Sequence, residues 1–397
     1  MSLRLAERSR WVAPSATMAM AAEAARLKAS GVEVFDFTLG EPDFPTPENV
    51  CAAAERAIRD GKTHYTPAAG IPELRAAIAR HYSTSAGLAT DPQQVIVSNG
   101  AKHSIHNALM ALCGPGDEVI IPSPYWVSYA ELVRLTGAEP VIIPTTEAEG
   151  FVLSPERFRE AVTPRSRLLM INTPSNPTGA VYDRAQLEAL ADAVLQTEVG
   201  VLSDEIYEEL TFDGASAHCF AALRPGLADR TVTISGVSKT YAMTGWRIGW
   251  AVAPLSVAKF MGALQSQETS NPCSISQWAA LEAITGPKDA IERMIAEFAK
   301  RRAYVIGRVA GLKDIGFTPP RGAFYAFLNV ERHFGRTLGG IELTDSTSFC
   351  QAALTSAKVA MVMGSAFGAE GYVRISFATG MDTLQRGFDA LAAFLEG

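Results

Sequence analysis

The sequence predicts an α/β protein: a large domain with a mostly parallel central sheet flanked by helices, and a smaller α+β domain drawn from both termini. Three observations carry this. From about residue 90 to residue 250, short apolar runs alternate with longer stretches of helical period, the rhythm of βα units around a parallel sheet. Beyond about residue 290 the rhythm changes to a long amphipathic helix followed by separate strands and helices, which reads as a distinct α+β unit. The length, 397 residues, also exceeds what one hydrophobic core usually supports.

In chain order, a helix over Ala19–Ser30 and a strand over Val34–Thr38 are too few to fold alone and are expected to join the C-terminal unit. Sheet strands are expected at Gln94–Val97, Glu118–Ile121, Val141–Ile143, Leu168–Ile171, Val199–Leu202 and Thr231–Ile234. Ser104–Leu112, Arg184–Leu195 and Ile275–Ile284 carry helical spacing. The C-terminal unit should contain a helix over Ala290–Val309, a strand over Ala323–Val330, a helix over Ser346–Ser356 and a closing strand over Tyr372–Phe377. The expected division is residues 46–295 for the large domain, with 1–45 and 296–397 forming the small one.

Composition narrows the function. There are 35 Lys and Arg against 42 Asp and Glu with no block of like charge, which argues against nucleic acid or a membrane surface as the main partner. The five cysteines (Cys51, Cys113, Cys219, Cys273, Cys350) are odd in number, widely spaced and without a CxxC pair, so neither a disulfide framework nor a zinc site is expected. His103 and His106 stand at i and i+3 on an expected helix but lack a carboxylate or cysteine at ligand spacing, and no metal is expected. No signal-peptide pattern and no apolar run of membrane-spanning length is present, so the chain reads as soluble and cytoplasmic.

Ligands of open α/β sheets collect at the carboxyl ends of the strands, so the residues following each strand are informative. After Val97 come Ser98, Asn99, Gly100, Ala101 and Lys102, small residues opening a helix whose free N–H groups suit a phosphate. After Ile121 come Pro124, Tyr125 and Trp126, an aromatic face for a flat heterocycle. Asn176 follows Ile171 in a Pro- and Asn-rich turn, and Asp204 follows Leu202, where a carboxylate is costly unless it meets a cation. After Ile234 comes Ser238-Lys239, with Arg247 eight positions further on in a stretch almost free of charge. A partly desolvated lysine is a usable nucleophile toward a carbonyl, and a guanidinium fork suits a phosphate. Each exit alone has an ordinary explanation: a helix start, a packed tryptophan, a turn asparagine, two solvated cations. Five together point to one flat, phosphorylated, aldehyde-bearing ligand.

These segments resemble the fold type I pyridoxal-phosphate aminotransferases of the class I/II family, in its bacterial aspartate aminotransferase-like branch, over nearly the whole chain. Further matching segments are Gly40-Glu41-Pro42-Asp43-Phe44, Tyr65-Thr66-Pro67, Gly70-Ile71-Pro72-Glu73-Leu74-Arg75, Pro124 to Tyr129, Asn176-Pro177-Thr178-Gly179, Ser203 to Tyr207 and Tyr372 to Ser376. The cofactor implied is pyridoxal 5′-phosphate.

The resemblance implies three catalytic residues. Lys239 is the Schiff-base lysine and proton shuttle, Asp204 keeps the pyridine nitrogen protonated, and Tyr207, with Asn176, bonds the ring's 3′ oxygen. It implies that Trp126 stacks on the ring, and that the backbone of Gly100, Ala101 and Lys102, with Arg247 and Ser238, holds the phosphate. Tyr65 would reach in from a neighbouring subunit, which requires a homodimer. Toward substrate, Arg374 clamps the α-carboxylate, Gly40 closes over it, and Trp126 and Asn176 border it. Lys102 stands where that branch places a lysine for the distal carboxylate, and Pro14-Ser15-Ala16-Thr17 matches a segment that closes over substrate.

The expected reaction is L-aspartate plus 2-oxoglutarate to oxaloacetate plus L-glutamate, by a ping-pong mechanism. Prephenate, aromatic or neutral substrates are the alternative, and a carbon–sulfur lyase on the same scaffold is a further one. A ligand sensor fused to a DNA-binding module lacks room before residue 45 and a basic stripe. A nicotinamide dehydrogenase lacks its glycine fingerprint after the first strand.

Overall fold

The structure, a computed structural model, describes residues 3–11 and 16–397. Pro14 and Ser15, with the side chain of Thr17, lie outside the described residues. The central sheet is built from β1 (Val95–Ser98), β2 (Glu118–Ser123), β3 (Glu139–Pro144), β4 (Ser166–Asn172), β5 (Gly200–Asp204), β6 (Thr231–Gly236) and β7 (Gly249–Val252). Their order is β1-β7-β6-β5-β4-β2-β3. β2 to β6 pair in parallel, whereas β7 runs antiparallel to both of its neighbours, β1 and β6. Six strands therefore release their carboxyl ends at one edge, where a ligand site is expected.

The inner strands are buried along most of their length because both faces of the sheet are covered; every residue of β1 and of β6 is buried. One face packs Ile105, Leu109, Val119 and Met170 together, the other Ile120, Leu169, Leu187 and Leu190. The helix Arg184–Leu195 starts where Asp183 and Gln186 form a reciprocal capping box.

The strand Gly249–Val252 was not expected from sequence. It fits between β1 and β6 through a close approach: Gly249 lies opposite Gly236, and a Cβ on Gly249 would sit 2.2 Å from the Ala101 nitrogen. Glycine at 249 is what lets the start of the helix Ala101–Leu112 rest on the sheet.

A second sheet is antiparallel, with β8 (Tyr325–Asn329) and β9 (Tyr372–Ser376) at its centre between Val362–Met363 and Gly316–Phe317. Phe35–Asp36 pairs in parallel with Val359–Ala360, joining the N-terminal segment to this unit. Its core includes Phe298, Phe324, Phe349, Phe377 and Phe388 and extends to Tyr207. Tyr372–Ser376 is not the closing element: the chain continues into the helix Met381–Glu396, whose Leu384, Phe388, Leu391 and Leu395 are buried at helical spacing. The α-helix begun at Ser346 ends at Ala352 and widens into a π turn over Ala353–Ala357.

Candidate active site

Of the individual residues given a catalytic, cofactor or substrate role from sequence, all but Gly100 and Tyr65 line one cavity of about 450 Å³ between the carboxyl edge of the central sheet and the second sheet. That volume suits a cofactor-sized ligand. Gly100 lies just outside it as the N-cap of the helix Ala101–Leu112. Tyr65 is 89% exposed and does not border this chain's own cavity.

Lys239 follows β6 by three residues, and its Nζ donates to the Gly40 carbonyl at 2.6 Å. Burial pushes its pKa down to about 8; Glu41 and Asp204 oppose this, while Arg374 and Arg247 reinforce it. An amine so placed loses its proton near neutrality, as a nucleophile and general base must.

Asp204 ends β5 and is 4% exposed. Its Oδ2 accepts from the Tyr129 hydroxyl at 2.6 Å and its Oδ1 from the Ile206 N–H at 3.2 Å. Burial raises its pKa to about 6 in spite of these donors and the nearby Lys239 charge. No cation touches it among the described residues, so a bound cationic N–H would complete its set of partners. Tyr207 bonds the Tyr325 hydroxyl at 2.9 Å.

Arg374 projects from β9, 3% exposed. Its Nη1 donates to Asn176 Oδ1 at 3.0 Å and its Nη2 to the Thr38 carbonyl at 2.8 Å, while Nε has no partner. The guanidinium lies 4.5 Å from the Tyr325 ring centroid and 5.1 Å from that of Phe367. No carboxylate pairs with it among the described residues, and burial lowers its pKa.

The helix Ala101–Leu112 opens without a side-chain cap, and its N-cap Gly100 has φ +88°. A Cβ at Gly100 would meet Arg247 Nη2 at 2.4 Å, so only glycine leaves that guanidinium its place. Arg247 donates to the Thr244 and Asn99 carbonyls at 2.7 and 3.5 Å and pairs with no carboxylate among the described residues. Free helical N–H groups beside an uncompensated guanidinium suit a phosphate dianion. Ser238 lines the same cavity, buried, and Lys102 Nζ lies 4.8 Å over the Trp126 ring.

Sequence reasoning gave no role to Tyr129, Tyr325 or the Thr38 carbonyl, although they hold Asp204, Tyr207 and Arg374. Tyr129 carried a signal: it stands three residues after Trp126, and the two rings meet edge to face at 5.5 Å. His103 and His106 have no carboxylate at ligand spacing in the sequence, but the fold brings one to them from far along the chain. Glu268, from the helix Leu255–Glu268, lies 3.3 Å from His103 Nε2 and 3.5 Å from His106 Nε2. Among the described residues no group of three His, Cys, Asp or Glu side chains is placed to hold a metal ion.

An amine-bearing wall, a buried carboxylate short of a cation, an aromatic face and a phosphate cradle, set at the edge of this sheet, fit pyridoxal 5′-phosphate and define a fold type I enzyme that uses it. The chain belongs to the aminotransferase class I and II family, whose model matches residues 32–391. It is 45% identical over 388 residues to an aspartate/prephenate aminotransferase of Cereibacter sphaeroides, covering 97% of each chain. Among solved structures, the aspartate aminotransferase of Rhizobium meliloti superposes with a TM-score of 0.96 at 40% identity, covering 100% of this chain and 99% of that one. The aspartate aminotransferase of Thermus thermophilus with maleate gives a TM-score of 0.93 at 40% identity, with coverage of 99% and 100%. The chain is an aminotransferase dependent on pyridoxal 5′-phosphate.

Proposed function

We propose that this aminotransferase exchanges an amino group between L-aspartate and 2-oxoglutarate, giving oxaloacetate and L-glutamate in two half-reactions at one site. The observation that carries the reading is Arg374, a buried guanidinium whose bonds, among the described residues, go only to neutral oxygens and whose Nε has no partner among them. Such a charge is costly until an anion arrives, and its planar fork matches a carboxylate at two points. Lys102, on the same cavity, adds a second cation for a distal carboxylate. The relatives named for aspartate, and the related structure with maleate, a dicarboxylate, support the same choice.

The cofactor supplies an aldehyde for Lys239 and a protonated ring that accepts the electron pair left at the substrate's Cα. In this reading Lys239, once its amine is released, takes the Cα proton and returns it on the cofactor side. Asp204, ionised at neutral pH and steadied by Tyr129, holds the proton on the ring nitrogen. Tyr207 and Asn176 would bond the 3′ oxygen, Trp126 would stack on the ring, and the backbone of Gly100, Ala101 and Lys102 with Ser238 and Arg247 would hold the phosphate. The Gly40 loop closes over bound substrate and excludes water.

Tyr65 is assigned to the phosphate of a second copy's site, so the working unit is a homodimer. A division at 46–295 against 1–45 with 296–397 belongs to the same reading, the helix Asp289–Val309 crossing its boundary. Cytoplasmic placement is supported by five free cysteines; no helix among the described residues is long and apolar enough to cross a membrane.

Adding single amino acids to the loaded protein tests the substrate. Aspartate and glutamate should convert the visible band of the cofactor–lysine linkage at far lower concentration than alanine or phenylalanine. Conversion by an aromatic or neutral amino acid with no response to aspartate overturns the assignment. Prephenate, also a dicarboxylate, offered as acceptor to the aminated form, shows whether the range extends to what the Cereibacter sphaeroides enzyme is named for.

A further inference from the structure

Asn99 is the last residue before the phosphate cradle, and it is gripped from three sides. Its N–H donates to His103 Nδ1 at 3.3 Å, its side-chain amide donates to Thr269 Oγ1 at 3.1 Å, and its carbonyl accepts from Arg247 Nη2 at 3.5 Å. His103 in turn reaches Glu268 Oε2 through Nε2 at 3.3 Å. Neutral imidazole has one donor and one acceptor nitrogen, so a backbone N–H on Nδ1 fixes the proton on Nε2, where it faces the carboxylate. Both contacts are satisfied by that one tautomer.

We propose that His103 and Glu268 are positioning residues for the phosphate cradle: neutral His103, oriented by Glu268, holds the Asn99 N–H and thereby sets Gly100, Ala101 and the Arg247 guanidinium for the cofactor phosphate. The inference rests on the assignment of that cradle to the phosphate. Protonated His103 has no acceptor; its Nδ1–H then opposes the Asn99 N–H, and the grip on the strand exit is lost. The titratable groups facing His103 are Glu268, from the helix Leu255–Glu268, and His106 on its own helix, which also contacts Glu268 at 3.5 Å. Burial holds His103 below the usual imidazole range, with Glu268 opposing that shift, so the neutral form prevails at physiological pH.

The test measures equilibrium affinity of the full chain for pyridoxal 5′-phosphate and, in parallel, for pyridoxal, which lacks the phosphate. His103→Ala should weaken pyridoxal 5′-phosphate about fivefold to tenfold, the worth of one lost hydrogen bond, and leave pyridoxal unchanged. His103→Asn, whose amide oxygen can accept the same N–H and takes no proton, should restore most of the affinity. Between about pH 7.5 and about pH 5 the wild type should lose more affinity than His103→Asn. The ratio of the two removes the titration of the phosphate itself, whose second pKa is about 6. Glu268→Gln, lacking the anion that favours charged His103, should shift the wild-type loss to lower pH. Equal affinity of His103→Ala and wild type, an equal loss toward pyridoxal, or a wild-type to His103→Asn ratio constant with pH each overturns the proposal while leaving the cofactor assignment standing. A wild-type protein that develops no visible band with pyridoxal 5′-phosphate overturns both.

Discussion

Asp204 and Arg374 are buried ions on opposite walls of one cavity, and the protein supports them differently. Asp204 receives two donors from within the chain, including the hydroxyl of Tyr129, and is short only of a cation. Arg374 meets an amide oxygen, a carbonyl and two aromatic faces, with one nitrogen left unpartnered and no anion within reach among the described residues. A buried charge with most of its hydrogen bonds made can wait for a tightly held cofactor. One without a counter-charge is set to recruit an anionic substrate and give it up again. The contrast separates what must stay bound through the cycle from what must turn over.

Removing the carboxylate should break this contrast most severely. Asp204→Ala is expected to lower turnover of aspartate on the order of 10³-fold, the scale of losing a preorganised charge opposite the reacting centre. Near-normal single-turnover rates would sink the role given to it. Tyr129→Phe is the graded version. The Tyr129 hydroxyl favours the ionised carboxylate, so losing it raises the Asp204 pKa above about 6 and moves the acid limb of the rate profile to higher pH. An acid limb that stays in place in that variant would show that the limb belongs to another group.

The arginine side of the comparison predicts a divergence between activity and stability. Arg374→Lys should cost about 10²-fold in kcat/KM for aspartate, because an ammonium cannot reproduce the two-point fork. Arg374→Met, measured without cofactor or substrate, should match or exceed the wild-type thermal midpoint, since an uncompensated buried charge is replaced by apolar volume. Asp204→Ala should lower that midpoint instead, leaving the Tyr129 hydroxyl buried without its acceptor. A large drop in Arg374→Met would mean that its bonds to Asn176 and Thr38 hold the two sheets together and that recruitment of substrate is secondary.

The strand exits were legible because each depends on a local pattern: an apolar run, then a residue whose chemistry is out of place beside it. Lys239, Asp204, Asn176 and Trp126 were found that way, and all four border the cavity. The partners that steady them were not. Tyr129 reaches Asp204 across 75 positions, from a helix after β2 to the end of β5, with β4 between those strands. Glu268 meets His103 across 165 positions. Periodicity shows which face of an element is buried and says nothing about which distant side chain arrives there. The strand β7 was missed for a related reason: four residues carry no sign of direction, and its pairing depends on two glycines meeting across the sheet.

Lys102 is the exposed cation of the same cavity. It sits 4.8 Å over Trp126, and burial of its stem together with the Arg247 charge lowers its pKa. Because water reaches it, its attraction for a distal carboxylate is screened and should be weaker than that of Arg374. Lys102→Met, which keeps the length of the stem, should raise KM for aspartate and glutamate about tenfold and leave kcat/KM for alanine unchanged. Added salt should weaken aspartate binding more in the wild type than in the variant, since only the former has the charge to screen. Equal losses with alanine and aspartate would move Lys102 from the substrate side chain to the phosphate cradle it adjoins, and leave Arg374 as the sole cation that reads substrate.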